Sequence, residues 1–249
     1  VKPLVSIYIP YYVPIAYKRT NNKIYVTTIS ILRGTSVSIY NDFSGLDINC
    51  QLSGSVKTVL DELYDTLGNK LGIVIAVDAP PFWELGVQSS IILGVHLALK
   101  SLSTSSLNMK SIYSEIIKTT KKLTDLQWIL YLNFSKGLSK FIINNDELES
   151  YDVTPIERNE MRIVVGVKAK GDAPEWIREN NLREPDEEAL KILKWMPTTN
   201  LNYHWNNMDI KIVSLQRLRS VVEDIINDYA PEEIVVSQPD NIGVRIYKF

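Results

Sequence analysis

The feature that most constrains this chain is the succession between Gly72 and Leu102. The run GIVIAV is apolar throughout and bounded by turn formers, which is how a strand buried on both faces reads. It leads into Asp78, Ala79, Pro80, Pro81, Phe82, Trp83, Glu84, Leu85, Gly86, Val87 and Gln88, then the pair Ser89 and Ser90, then IILGVHLALKSL. A helix that is apolar nearly all round has to lie at the centre of a core. Any fold for this chain is built around that unit of strand, proline-rich loop, paired serines and central helix.

The rest of the pattern supplies partners for such a helix. Val5, Ile7 and Ile9 alternate with polar or aromatic residues, and the alternation returns at Lys23 to Ile31, Ser36 to Tyr40 and Asp47 to Leu52, with Gly34 and the Asn41, Asp42 pair as breaks. A mostly antiparallel sheet with one wet face is expected. Val56, Val59, Leu60, Leu63 and Leu67 follow helical spacing up to Gly68 and Asn69. Ile112 to Leu123 is amphipathic, and Trp128 to Leu132 and Ser139 to Ile143 read as strands. The polar, acidic stretch from Asn144 to Glu160, broken by Pro155, is the expected boundary between a domain of residues 1–150 and one of 151–249. The second half predicts a strand at Met161 to Val167 and helices near Pro174 and over Glu187 to Trp195. A polar loop through Asn207, a long helix from Ile210 to Tyr229, and strands at Glu233 to Ser237 and Val244 to Phe249 complete it.

Composition narrows the function classes. With 27 basic and 29 acidic residues there is no net positive field for nucleic acid or an anionic membrane. The single Cys50 excludes an internal disulfide, and His96 and His204 are too few for a zinc site unless carboxylates complete it. No apolar run reaches the roughly 20 residues that span a bilayer, and VKPLVSIYIPYY lacks the order of a signal peptide. The expectation is a cytoplasmic protein, monomer or homodimer, acting on a small-molecule metabolite. Its 11 glycines are about 4% of the chain, against about 7% in an average protein.

The segment from Gly72 to Leu102 resembles the second motif of the GHMP kinase superfamily, which phosphorylates galactose, homoserine, mevalonate and phosphomevalonate. There a buried strand runs into a proline and a loop ending Gly-Leu-Gly-Ser-Ser-Ala ahead of a buried helix. Matching the serines to Ser89 and Ser90 places Gly86 and Val87 on Gly-Leu, with Gln88 and Glu84 on glycine positions and Ile91 on the alanine. The catalytic aspartate is matched by Asp125 within Thr124-Asp125-Leu126-Gln127, and the third glycine-rich loop by Val236 to Gly243. The first motif falls at Ile9, Pro10, Tyr11 and Tyr12, with Lys18 and Arg19 further on. Pantoate kinase and ribofuranosylaminobenzene 5'-phosphate synthase, two branches of the superfamily, are similar in the amino-terminal and carboxyl-terminal segments respectively.

The resemblance implies an α+β fold of two domains, ribosomal protein S5 domain 2-like and then ferredoxin-like. It implies ATP and Mg²⁺ as cofactors and transfer of the γ-phosphoryl group to a small polar metabolite. Gly86, Val87, Gln88, Ser89 and Ser90 would hold phosphate, Ser89 and Ser90 the Mg²⁺, and Asp125 would assist the acceptor. Asn241, Gly243, Tyr203 and His204 are candidates for the substrate pocket, the last two because aromatics and amides around Trp195 to Trp205 suit a polar ligand. Each has a plainer reading: serines cap helices, Pro239, Asp240 and Asn241 make turns, and irregular polar loops are common. Glu84 and Gln88 oppose phosphate by charge and bulk. A binding protein of the same fold without ATP affinity and a synthase using a phosphoribosyl donor are therefore the alternatives.

Overall fold

The computed structural model describes residues 2–20, 22–68, 70–79, 85–103, 111–112, 114–115, 129–145, 147–156, 160–168, 201–205 and 208–249. Strands β1 (Val5–Thr20) and β2 (Lys23–Tyr40) form one long antiparallel ribbon. Its register shifts after Pro10 and again after Pro14, because proline has no N–H for the ladder and is tolerated at bulges. Gly34 is therefore no break: it pairs with Pro10 inside the continuous β2, where a Cβ would meet the Ile9 carbonyl oxygen at 2.5 Å and the Tyr8 ring at 2.6 Å.

β3 (Gly45–Ile48) lies parallel to β4 (Gly72–Val77), and β4 pairs with Thr35–Tyr40 of β2. β5 (Leu138–Asn144) takes the other half of the same edge, Lys23–Ile29, and β6 (Glu147–Thr154) pairs with β5. Helix α1 (Gly54–Leu63) starts at Ser53, whose Oγ accepts from the Val56 N–H at 3.5 Å, and buries Val56, Val59, Leu60 and Leu63. Helix α2 (Val87–Ser103) is buried at every position from Val87 to Leu99 and lies on β1 and β2. Gly94 allows that approach, since a Cβ there would stand 2.7 Å from Val37 and 3.5 Å from Ile9.

β7 (Met161–Val167), β8 (Leu201–Trp205), β9 (Met208–Ser214) and β10 (Glu233–Ser237) make a second, antiparallel sheet in the order β10-β7-β9-β8. Fourth, first, third, second is the ferredoxin-like order. Ile163, Val165, Val167, Met208, Ile210 and Ile212 join the main core from one face of this sheet. Val164 and Val213, on the other face, pack on Val221 and Ile225 of the carboxyl-terminal helix. β11 (Arg245–Lys248) returns to the first sheet beside β1 and makes it seven-stranded.

Several expectations change. Where a strand is expected over Trp128 to Leu132, Ile129–Leu132 forms a short helix, α3. The long helix from Ile210 begins later: β9 runs to Ser214, and helical turns cover Leu215–Tyr229 around α4 (Leu218–Asp224). The acidic boundary contains β6, and the strand expected to Leu52 stops at Ile48. The helices near Pro174 and over Glu187 to Trp195, and most of the one over Ile112 to Leu123, lie outside the described residues. Among the described residues no helix is long and apolar enough to cross a membrane.

Candidate functional site

The two strands that share the edge of β2 leave a gap between them at Ser30–Gly34. Buried main-chain groups need partners, and here loops supply them. The Ser30 N–H donates to the Gly137 carbonyl at 3.0 Å, and the Asp240 N–H donates to the Ser30 carbonyl at 2.8 Å. The Leu32 N–H donates to the Gln238 carbonyl at 2.8 Å, and the Gly34 N–H to Asp78 Oδ1 at 2.8 Å. Gln238 to Asp240 thus act as a short extra strand in the gap.

This closing loop is held by its side chains as well. Asn241 pairs with the backbone of Ile156, Nδ2 donating to its carbonyl and Oδ1 accepting from its N–H, both at 2.9 Å. Asp240 is 1% exposed and accepts from the Ile242 N–H at 2.9 Å and from Arg245 Nη2 at 2.7 Å. Arg245 also stands over the Tyr8 ring, 4.7 Å from its centroid. Burial, then the Asp78 charge, pushes the Tyr8 phenol up to about 12, so it stays a neutral donor. Gly243 has φ +79°, and a Cβ there would meet Lys136 Cβ at 3.2 Å.

The start of α2 lies beside this gap. The Tyr12 N–H donates to the Leu85 carbonyl at 3.2 Å, and Gly86 follows with φ +72°. A Cβ at Gly86 would run into the Tyr12 ring, so both backbone angle and space demand glycine. Asn133, wholly buried, donates from Nδ2 to the Gly86 carbonyl at 3.0 Å, and its Oδ1 accepts from Ser89 Oγ at 2.6 Å. Ser90 Oγ donates to the Val87 carbonyl at 2.6 Å and lies 2.6 Å from Thr35 Oγ1, whose hydroxyl donates to Tyr11 Oη at 3.2 Å.

These contacts change the reading of the serines. A cap accepts from a first-turn N–H. Ser89 and Ser90 instead donate back to the carbonyls of Gly86 and Val87, the pattern of serines within a helix. They are 1% and 0% exposed, so a Mg²⁺ ion would reach them only if they left Asn133 and Thr35. The Ser90 N–H donates to the Gly86 carbonyl at 2.9 Å, whereas the N–H groups from Gly86 to Ser89 precede the first i to i−4 bond of the helix, and neither serine hydroxyl covers them. Gln88 also turns away: Oε1 accepts from the Ser53 N–H at 3.3 Å and Oγ at 3.4 Å, tying α2 to the cap of α1.

Four stretches therefore meet here, Pro10 to Tyr12, Leu85 to Ser90, Asn133 to Gly137 and Gln238 to Gly243. Tyr203 and His204 lie in β8, opposite Ile210 and Asp209 at the outer edge of the second sheet. Lys18 and Arg19 pair with Tyr25 and Ile24 at the distal end of β1. Asp125 and Glu84 lie outside the described residues. Tyr12 belongs to the segment matched to the first motif, whereas Asn133 and Thr35 were not anticipated as parts of the site. An asparagine next to the apolar run ILYL was the available signal, since a buried amide needs partners. Among the described residues no group of His, Cys, Asp and Glu side chains could hold a metal ion.

No protein-family model and no curated protein matches the sequence. Solved structures match its shape along nearly the whole chain. A D-glycero-D-manno-heptose 1-phosphate kinase from Bacteriodes thetaiotaomicron is 14% identical with a TM-score of 0.67, covering 99% of each chain. The mevalonate kinase of Methanococcus jannaschii is 12% identical with a TM-score of 0.62, covering 96% of this chain and 99% of its own. A third, described as MDDEF in complex with MVAPP, AMPPCP and magnesium, is 11% identical with a TM-score of 0.54 and 99% coverage of both chains. The fold is that of the GHMP kinases, an α+β architecture. Within that fold, the chain is similar in shape to kinases of a sugar phosphate and of mevalonate.

Proposed function

We propose that the protein binds the phosphate chain of ATP at the first turn of α2 and transfers the γ-phosphoryl group to a hydroxyl or carboxylate of a small polar metabolite. The observation that carries this reading is the state of that turn. Gly86 keeps its left-handed conformation, Gln88 is folded away toward Ser53, and the serine hydroxyls point to carbonyls. Backbone N–H groups at the positive end of a helix are what a phosphate group requires. The bulk that Gln88 brought to the sequence does not face that turn. In this reading Ser89 and Ser90 shape the turn and the backbone N–H groups of Gly86 to Ser89 bind, the Ser90 N–H being held by the Gly86 carbonyl. Asp125 orients the acceptor, and Mg²⁺, when bound, would neutralise charge on the transferred group. Asn241 and Gly243 fix the loop that borders the site, and Tyr203 and His204 are pocket candidates by resemblance alone.

Neighbours of the same fold support the reaction class, since three of them are named as kinases or as a complex with AMPPCP and magnesium. A thermal titration with Mg-ATP tests it, because a ligand that binds the native state raises its melting temperature by mass action. A saturable shift, with ADP release on addition of sugar or isoprenoid alcohols that Asp125→Asn abolishes, is the expected result. No shift at millimolar nucleotide overturns it. A second reading, binding without transfer, is favoured by the enclosure of Ser89 and Ser90, at 1% and 0% exposure. It predicts the shift without ADP release. Phosphoribosyl diphosphate in the same titration separates the synthase alternative.

A further inference from the structure

We infer that Arg33 is a further phosphate-binding residue of this site, supplying a cation to the phosphate chain held by the α2 turn; the inference rests on the nucleotide reading above. Three observations lead to it.

The first is the register of the central ribbon. Pro10 pairs with Gly34 and Tyr11 with Ile31, so Leu32 and Arg33 are two extra residues on β2 with no partner in β1. A bulge of this kind re-aims a side chain out of the ladder. The cause is local: Pro10 has no N–H to donate, and Leu32 turns its own N–H to Gln238 instead.

The second is the guanidinium's surroundings. Arg33 is half-buried, and its hydrogen bond is a long one, Nη1 donating to the Asp78 main-chain carbonyl at 3.4 Å. No carboxylate stands within ion-pair distance of it among the described residues. Arg245, by contrast, is paired with Asp240 at 2.7 Å and Arg219 with Glu223 at 3.0 Å. The neighbouring Asp78 carboxylate is occupied by the Gly34 N–H at 2.8 Å. Arg33 is thus an arginine near the core whose bidentate fork is left largely unused, the geometry that matches a phosphate group.

The third is position. Two residues on, Thr35 lies 2.6 Å from Ser90 in the first turns of α2, so Arg33 leaves the ribbon two residues from a strand position in contact with that helix start. Asp78, which receives the Arg33 hydrogen bond, follows the end of β4 in the segment that leads to Gly86. Lys18 and Arg19, at the distal end of β1, are too far along the ribbon to serve the same turn.

Isothermal titration with Mg-ATP and, separately, with inorganic pyrophosphate tests the inference on the wild-type chain and on Arg33→Gln, Arg33→Lys and Arg19→Gln. Arg33→Gln should weaken both ligands at least about tenfold, the loss expected for one charge-assisted hydrogen-bonded contact. It should also flatten the salt dependence of binding, and Arg33→Lys should recover part of the affinity. Arg19→Gln should bind as the wild type does. If Arg33→Gln binds both ligands with wild-type affinity and salt dependence, the inference fails while the nucleotide reading stands. If the wild type itself binds neither ligand, the nucleotide reading fails and takes the inference with it.

Discussion

The two loops in which a glycine-rich backbone is expected have each kept one glycine and have come to opposite ends. At the start of α2, Gly86 remains where both φ and the Tyr12 ring require it, and the residues around it turn their side chains inward. The turn keeps its amide groups uncovered by these side chains. In the closing loop the amides and carbonyls of Gln238 to Asp240 are consumed by β2 and Gly137, and Asn241 and Asp240 are locked to Ile156 and Arg245. Fewer glycines therefore leave the start of a helix open when the side chains in their place find partners elsewhere, and convert a loop into scaffold when its backbone does.

That contrast can be broken by substitution. The largest effect is expected for Gly86→Ala, which adds a Cβ at positive φ against Tyr12. It should cost about 3–4 kcal/mol by chemical denaturation and abolish nucleotide binding in the fraction that stays folded. Arg245→Met comes next, at about 3 kcal/mol, because it leaves the Asp240 carboxylate buried and uncompensated. The double variant with Asp240→Asn should recover part of that loss, and neither should alter nucleotide affinity. An affinity change in the double variant would show that the closing loop binds after all.

A third test concerns the helix that carries the turn. His96 is wholly buried in α2, and burial lowers its pKa to about 4 from an ordinary 6.5, against the opposing pull of Glu115. A folded pKa below the unfolded one means stability that is present above pH 6.5 and is lost as the pH falls towards 4, on the order of 3 kcal/mol at about 1.4 per unit. His96→Gln should flatten that profile in denaturation series across the range. The smallest effect is expected for Gln88→Ala, about 1 kcal/mol, since the Ser53 N–H loses one long hydrogen bond. Nucleotide affinity should hold, and a gain on removing Gln88 would mean that its side chain does obstruct the turn.

Much of the fold was legible because burial imposes a period. The central helix announced itself through an unbroken apolar surface, and Met161 to Val167 and Glu233 to Ser237 form strands over the expected residues. Misreadings cluster where the period was ambiguous. Four apolar residues, Ile129 to Leu132, fit a buried strand or a helical turn equally. Met208, Ile210 and Ile212 alternate with Asp209 and Lys211, a strand signal masked by the helical spacing that follows from Leu215. β6 carries Glu147, Glu149 and Asp152 along the strand that pairs with β5 alone, and charge of this kind protects an edge while erasing the apolar alternation.

The site was legible as a set of segments and illegible as contacts. The family resemblance placed Gly86, Ser89, Ser90 and Asn241 in motifs, yet Ser89 meets Asn133 and Ser90 meets Thr35 across 44 and 55 residues of chain. No local pattern encodes such pairings. The same distance hid the fate of Gln88, whose bulk is absorbed by Ser53, 35 residues earlier.

The central claim is that the α2 turn still receives a phosphate chain. Isothermal titration of the wild-type chain and Gly86→Ala with AMPPCP and Mg²⁺ addresses it directly. Saturable binding by the wild type, lost in the folded Gly86→Ala variant, is the predicted result. Equal binding by the two chains, or none by the wild type at millimolar analogue, would contradict it.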